Sequence, residues 1–343
     1  MSDTENIALI DWLTFTTKDL DYKRLINFLG LDRLGLTETR GHNGYKSALQ
    51  FGGIWVLFDG REDMGVCVEM SGQGCRQYET SGLYNLDYLS DYLARHSDKY
   101  NITRLDVAYD DIDHEGKGLL DVRVIDEYAR KDLYVSRFRS KSGEWSGKHA
   151  EDGEEAFPLA YSVYFGSPQS NTRVRIYDKA MERGGLDYHW TRVELQLRHE
   201  SALNFLLDEH SVGEKFYGVL NNNLRFVMPN PSDSRRRRWE TTRWWEEFLQ
   251  SALKISVFSK KGVDYNMSRL ENYVFGQAGK SIKTFIECKG TVEFYRVLNE
   301  FMKDKALNDN QLNLISEYAT EKEERLLRYY QNQHKGWSSP KGE

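Results

Sequence analysis

The chain has 343 residues, 39% of them hydrophobic and 13% aromatic, which is enough for roughly two or three domains around sizeable cores. A net charge of −6 argues against a protein that coats nucleic acid non-specifically, because such binding works by neutralising phosphates. No apolar run is as long as a membrane span, residues 1–6 lack a signal pattern, and Cys67, Cys75 and Cys288 lack disulfide or metal-finger spacing, so a cytoplasmic chain with reduced thiols is expected.

Residues 7–16 have strand composition, and 19–29 have helical spacing with Leu20, Leu25, Ile26 and Leu29 on one face. Short strands are predicted at 45–51, 53–58 and 65–70, followed by a helix at 83–95. The order then starts again: a strand at 102–110, a helix at 120–130, strands at 133–138, 159–166, 172–178 and 191–198, and a helix at 202–209. The acidic segment 140–155, which also carries glycines, reads as a long functional loop. Two similar halves are expected, 1–100 and 101–220, with Asp11 matching Asp106 and Glu69 matching Glu194. Beyond them come a basic linker at 221–240, a C-terminal helical domain at 241–335 and a tail at 336–343. The fold class is α+β: antiparallel sheet with flanking helices, the two halves forming a saddle, plus the helical domain.

The stretch 173–179 carries the most chemistry. As a strand it puts Arg173, Arg175, Tyr177 and Lys179 on one face and Val174 and Ile176 on the other. A phenol has a pKa near ~10 and is a weak nucleophile at neutral pH; nearby cations favour phenolate and clamp a phosphate. The alternative is a buried tyrosine with surface arginines beside it.

Alternation also puts Asp106 and Asp110 on one face with Arg104, and Glu194 on one face with Arg192, Gln196 and Arg198. If these strands neighbour the Tyr177 strand, Asp106 and Glu194 meet over one phosphate, and their oxygen ligands suit a hard ion, Mg²⁺ or Mn²⁺. The competing reading is cross-strand salt bridging with Arg175 or Arg192. The histidines include no His-x-His pair. Residues 71–76 form a weak phosphate-loop pattern, in which Arg76 is either a DNA-backbone contact or part of a turn. Arg235, Arg236, Arg237 and Arg238, followed by Trp239, Trp244 and Trp245, suit phosphates and stacked bases, or equally a solvated linker beside a Trp-anchored helix.

Six blocks taken in order, at residues 10–13, 71–76, 103–111, 164–167, 173–179 and 192–195, resemble the Rep-trans replication initiation factors, the rolling-circle initiators of plasmids and filamentous phages, related to some conjugative relaxases. The resemblance implies a tyrosine endonuclease and strand-transferase. Its nucleophile would be Tyr177, assisted by Arg175 and Lys179. The acidic metal site would fall on Asp106 and Glu194, with Asp110 as a further ligand.

The expected activity is a nick in origin DNA that leaves a 5′-phosphotyrosine and a free 3′-OH primer, with later rejoining of the strand. Double-stranded origin would be recognised and a single-stranded or hairpin region cut. Arg76, Arg104, Arg173, Arg192 and Arg235 to Arg238 are the expected DNA contacts. Host helicase and polymerase, and a second copy of the chain, are the other expected partners, and no membrane. Three alternatives stand beside this reading: a conjugative relaxase with the same chemistry, a hydrolytic metal nuclease using Asp106, Glu194 and Gln196 without a covalent adduct, and a non-catalytic DNA-binding regulator.

Overall fold

The computed structural model describes residues 4–116, 118–147, 158–183, 186–255 and 279–303. Two compact units divide the chain, Met1–Lys261 and Gly262–Glu343.

The first unit is built on a ten-stranded sheet. Its strands are β1 (Thr4–Thr17), β2 (Thr37–Arg40), β3 (Ser47–Phe51), β4 (Ile54–Phe58), β5 (Val66–Met70), β6 (Tyr100–Asp113), β8 (Lys141–Gly147), β9 (Pro158–Phe165), β10 (Thr172–Asp178) and β11 (His189–Arg198). They lie in the order β2-β3-β4-β5-β1-β6-β11-β10-β9-β8, and every pairing is antiparallel.

Outward from the central β1–β6 pair, both halves run in the same way: last strand of the half, then the three before it in reverse. The register repeats too. Trp12 of β1 lies opposite Asp106 of β6. Two residues further along each strand, Thr14 faces Glu69 and Ala108 faces Glu194. One strand further out, Trp55 faces Glu69 as Arg175 faces Glu194, and Leu57 faces Cys67 as Tyr177 faces Arg192. Glu69 and Glu194 thus hold equivalent positions. Asp11 does not match Asp106 in register; Trp12 does, because a bulge between Ile10 and Trp12 inserts one residue.

One face of the sheet is packed by helices. Helices α1 (Tyr22–Leu29), α3 (Leu86–Arg95), α4 (Val122–Arg130), α6 (Glu200–Leu207), α7 (Val212–Asn223) and α8 (Arg243–Leu253) contribute buried residues such as Leu25, Leu89, Ile125, Phe205, Phe216 and Phe248 to a common core. That core also takes Ile10, Val68, Val107, Val174 and Val193 from the strands. Each such side chain contributes roughly 1.5–3 kcal/mol on burial. Period-two alternation then sends the polar residues of the same strands to the opposite face.

Several elements depart from the sequence reading. The short polar strand β2 was not expected. The segment taken as a loop from 140 begins as edge strand β8, whose side chains at 141–146 are exposed; residues 148–157 lie outside the described residues. The glycine-rich 71–76 stretch is the start of helix α2 (Gly72–Ser81), with Ser71 as its N-cap. Its glycines serve close packing: a Cβ on Gly74 would sit 2.2 Å from the Gly53 carbonyl oxygen.

Residues 221–255 also belong to the first unit rather than to a linker and separate domain. Strand β12 (Leu224–Phe226) pairs with β7 (Tyr134–Ser136). Trp245 of α8 is fully buried, its ring centroid 4.9 Å from Phe226 and 5.0 Å from Phe248. Trp244 packs on Phe226 and Tyr128, so neither tryptophan is a free stacking surface. Arg236–Arg238 form a single 3₁₀ turn, and all four arginines from Arg235 are exposed.

In the second unit the helices Gly279–Lys289 and Thr291–Met302 are described, while the rest of the expected helical domain from 304 to 335 and the tail at 336–343 lie outside the described residues. Among the described residues no helix is long and apolar enough to cross a membrane. Cys67, Cys75 and Cys288 are free thiols, and burial pushes Cys67 up to about 12.

Candidate active site

Strands β6, β11 and β10 are adjacent, which is the condition the sequence left open. Along β11, Arg192 lies opposite Asp110 and Tyr177, Glu194 opposite Ala108 and Arg175, and Gln196 opposite Asp106 and Arg173. These residues share the face away from the main helical core.

At the centre, the Tyr177 hydroxyl donates to Glu194 Oε1 at 2.7 Å and accepts from Lys179 Nζ at 3.1 Å. The Arg175 guanidinium lies 3.8 Å from the Tyr177 ring centroid, and its Nη1 lies 3.8 Å from Glu194 Oε2. Lys179 opens the short helix α5 (Lys179–Glu182), capped by Asp178, whose side chain accepts from the Met181 amide at 2.9 Å. This turn folds the lysine back over the tyrosine two residues earlier. Lys179 also pairs with Glu182.

The group is buried, and its ionisation follows from that. Tyr177 is 2% exposed, and burial together with the Glu194 charge drives its pKa well above the phenol value. Burial, then the charge of Asp11, pushes Glu194 up to about 7. Burial and the neighbouring Arg192 hold Lys179 below the usual ammonium range. The three form one hydrogen-bonded chain, in which Lys179 donates to the phenol oxygen and the phenol donates to Glu194.

The other two predicted ligands are engaged elsewhere. Asp106 accepts from Arg104 Nε at 2.9 Å and Nη2 at 2.6 Å, and burial holds its pKa up. Asp110 accepts from Arg192 Nε at 2.6 Å and Nη2 at 2.8 Å. The donor chemistry of Asp106, Asp110 and Glu194 suits a hard cation, but the arrangement does not. Each carboxylate already has its own cation, and no three such groups among the described residues are gathered to hold a metal. Of the cross-strand salt bridges expected as the alternative, Glu194 pairs with Arg175 at 3.8 Å, while Asp106 pairs with Arg104 of its own strand, and both carboxylates are buried.

Arg192 is likewise not a surface DNA contact. It is 3% exposed and bridges Asp110 and Asp11, the latter at 2.8 Å. Arg76 is folded inward, donating to the Ile10 carbonyl and pairing with Glu79 at 3.1 Å. Arg104 stacks 3.9 Å over Trp12, and Arg173 stacks 4.1 Å over Tyr164. Of the expected DNA contacts, Arg235 to Arg238 are the exposed set.

Sequence reasoning missed Asp11 as part of the site. The bulge brings Asp11 to the polar face with Trp12, and Gly72 lets it approach: a Cβ there would lie 3.0 Å from Asp11 Oδ1. Asp11 thus joins the first half of the sheet to the Tyr177 group in the second.

The chain as a whole has counterparts among known proteins. The family model described as "Replication initiation factor" matches residues 100–330. The chain belongs to the replication initiation factor family. Residues 7–89 match a second family model, "Rolling Circle replication initiation protein N-terminal domain". Across 302 residues the chain is 27% identical to the "Putative DNA relaxase NicK" of Bacillus subtilis strain 168, covering 82% of this chain and 81% of that protein. Among solved structures, the rolling circle replication initiator protein from Geobacillus stearothermophilus matches with a TM-score of 0.66 at 30% identity, over 73% of this chain and 98% of that one. Between them the two family models span both halves of this replication initiation factor's sheet in sequence, at 7–89 and 100–330.

Proposed function

We propose that this chain is a rolling-circle replication initiator that nicks origin DNA through Tyr177. The observation that carries the reading is the Tyr177 hydroxyl held between Glu194 and Lys179, in a chain of this family. Glu194 takes the phenol proton as Tyr177 Oη attacks the scissile phosphorus. Lys179 stabilises the negative charge on the phenol oxygen, and Arg175 neutralises the charge that builds on the phosphate. The 3′-oxygen leaves and takes a proton from water. The product is a 5′-phosphotyrosyl chain with a free 3′-OH that primes synthesis.

The diester energy is kept in the adduct, so a 3′-OH rejoins the strand by the reverse step without ATP. Glu194 then returns its proton to Tyr177. These steps use the chain's own groups and route nothing through Mg²⁺ or Mn²⁺, for which Asp106, Asp110 and Glu194 form no common seat. Conjugative relaxation is the same chemistry in another setting, and the name of the Bacillus relative favours it as the second reading. Origin recognition, host helicase and polymerase, and dimer formation complete the proposal.

The test is incubation with labelled single-stranded origin DNA followed by a denaturing gel. Tyr177→Phe should abolish the protein–DNA adduct and leave origin binding intact. An adduct of wild-type yield in that variant ends the proposal; cleavage by the wild type without any adduct supports the hydrolytic reading instead.

A further inference from the structure

We propose that Glu69 and Trp55, in the first half of the sheet, form a subsite that holds one unpaired guanine of the DNA strand cut by Tyr177. Glu69 occupies the register position that Glu194 occupies in the other half. Its surroundings differ. Glu194 meets the Tyr177 hydroxyl, whereas the strand outside Glu69 places Trp55 opposite it. The Glu69 side chain is 18% exposed, against 6% for Glu194, so it can be reached from solvent. Its closest cation among the described residues is His42, with Nε2 3.7 Å from Oε1. The His42 ring stands edge-on to Trp55, with centroids 5.0 Å apart. Trp55 is half-buried and packs against a small apolar cluster around Leu57 and Cys67, which holds the indole in place beside the carboxylate.

A carboxylate is an acceptor only. On a face that receives DNA it repels phosphate, and the groups it can take are the N–H donors of bases. Unpaired bases offer their Watson–Crick edges, and an indole supplies a stacking surface. Guanine carries a ring N–H and an amino group side by side on that edge, two donors for two carboxylate oxygens. Adenine and cytosine set a ring-nitrogen lone pair beside their amino group, and thymine flanks its one N–H with carbonyls. In each of those the second carboxylate oxygen meets another acceptor. The pair therefore selects guanine, stacked on Trp55 and bonded through its edge to Glu69.

The subsite rests on the reading that Tyr177 attacks a single strand laid on this face, and the sheet supplies a continuous path between the two places. Glu69, Thr14, Arg104 and Arg198 form one row across β5, β1, β6 and β11. Arg104 and Arg198 are half-buried, so positive charge lies on the side of Glu69 that leads to the Tyr177 strand. Four strand spacings separate β5 from β10, about 19 Å across the sheet. The row of Arg198 lies about 20 Å along β11 from Arg192, the residue opposite Tyr177. The guanine would therefore sit several nucleotides from the scissile phosphate, where it fixes the register of the strand without touching the reacting groups.

The experiment measures binding of the full chain to single-stranded DNA of its own origin, with each position around the nick replaced in turn by the other three bases, and follows the covalent adduct on the same strands. One guanine away from the nick should stand out, its replacement lowering wild-type affinity about tenfold or more. Glu69→Gln keeps the shape of the side chain but presents one acceptor and one donor. It should lose that preference and favour adenine or cytosine at the same position. Trp55→Ala should weaken binding about tenfold whichever base stands there. No preferred guanine in the wild type, or an unchanged guanine preference in Glu69→Gln, overturns the inference while leaving the Tyr177 adduct standing. A wild type that forms no adduct sinks the Tyr177 reading, and this one with it.

Discussion

Replacing Glu194 by glutamine removes the proton acceptor of Tyr177 while keeping the shape of the side chain. The carboxylate is held at about 7 by burial and by Asp11, against 4.5 for an ordinary glutamate. In the wild type, adduct formation should therefore rise with pH through about 7 and level off above it, as Glu194 ionises. Glu194→Gln should lower the rate by about 10²–10⁴-fold and abolish that inflection.

Stability should respond in the opposite sense to pH. A raised pKa means that the folded protein binds this proton more tightly than the unfolded chain does. The contribution is present in full below 4.5 and is lost as pH rises to about 7; at 1.36 kcal/mol per pH unit this is about 3 kcal/mol. The stability difference between variant and wild type should thus move in favour of glutamine by about that amount from pH 4.5 to pH 8. Stopped-time adduct assays and urea unfolding at several pH values read both effects. A Glu194→Gln enzyme that keeps the wild-type rate and inflection refutes the assignment of Glu194 as the base.

Two further outcomes follow from the frame around the site. Arg192→Met removes the cation that bridges buried Asp110 and half-buried Asp11, and should cost about 3–5 kcal/mol in chemical denaturation, where loss of an exposed DNA contact would cost nothing. Gly74→Ala drives a methyl into the Gly53 carbonyl; a loss of about 1–3 kcal/mol in thermal unfolding is expected, and an unchanged Tm would contradict the packing described for α2.

The site's three central strands were legible because their alternation is clean. In β10, β6 and β11 every second residue is apolar around the tyrosine and carboxylates, so the faces could be assigned without coordinates. Asp11 was not legible in the same way. A bulge breaks the parity on which that reasoning depends, and no residue type in Ile10-Asp11-Trp12 announces it. The edge strands β2 and β8 escaped because an edge tolerates polar and glycine residues, and both are exposed there. Helix α2 was hidden by glycines, whose usual meaning is a turn, while here they allow close contact with Gly53 and Asp11. Arg192 read as a surface cation because sequence shows its charge but not the two carboxylates that bury it. The tryptophans after the arginine run read two ways for a similar reason, since their partners Phe226 and Tyr128 are distant in the chain; the Trp-anchored helix is the reading the structure holds.

The matched register of the two halves has a consequence for how such a protein can be asymmetric. Leu57 stands where Tyr177 stands in the other half, Trp55 where Arg175 stands, and Cys67 where Arg192 stands. Two identical subunits sharing this sheet would be compelled to carry the nucleophile twice, or not at all. Joining the halves in one polypeptide removes that compulsion. One half is free to hold reactive groups, and the other to become an inert mirror of them that lends a single charge, Asp11, across the seam.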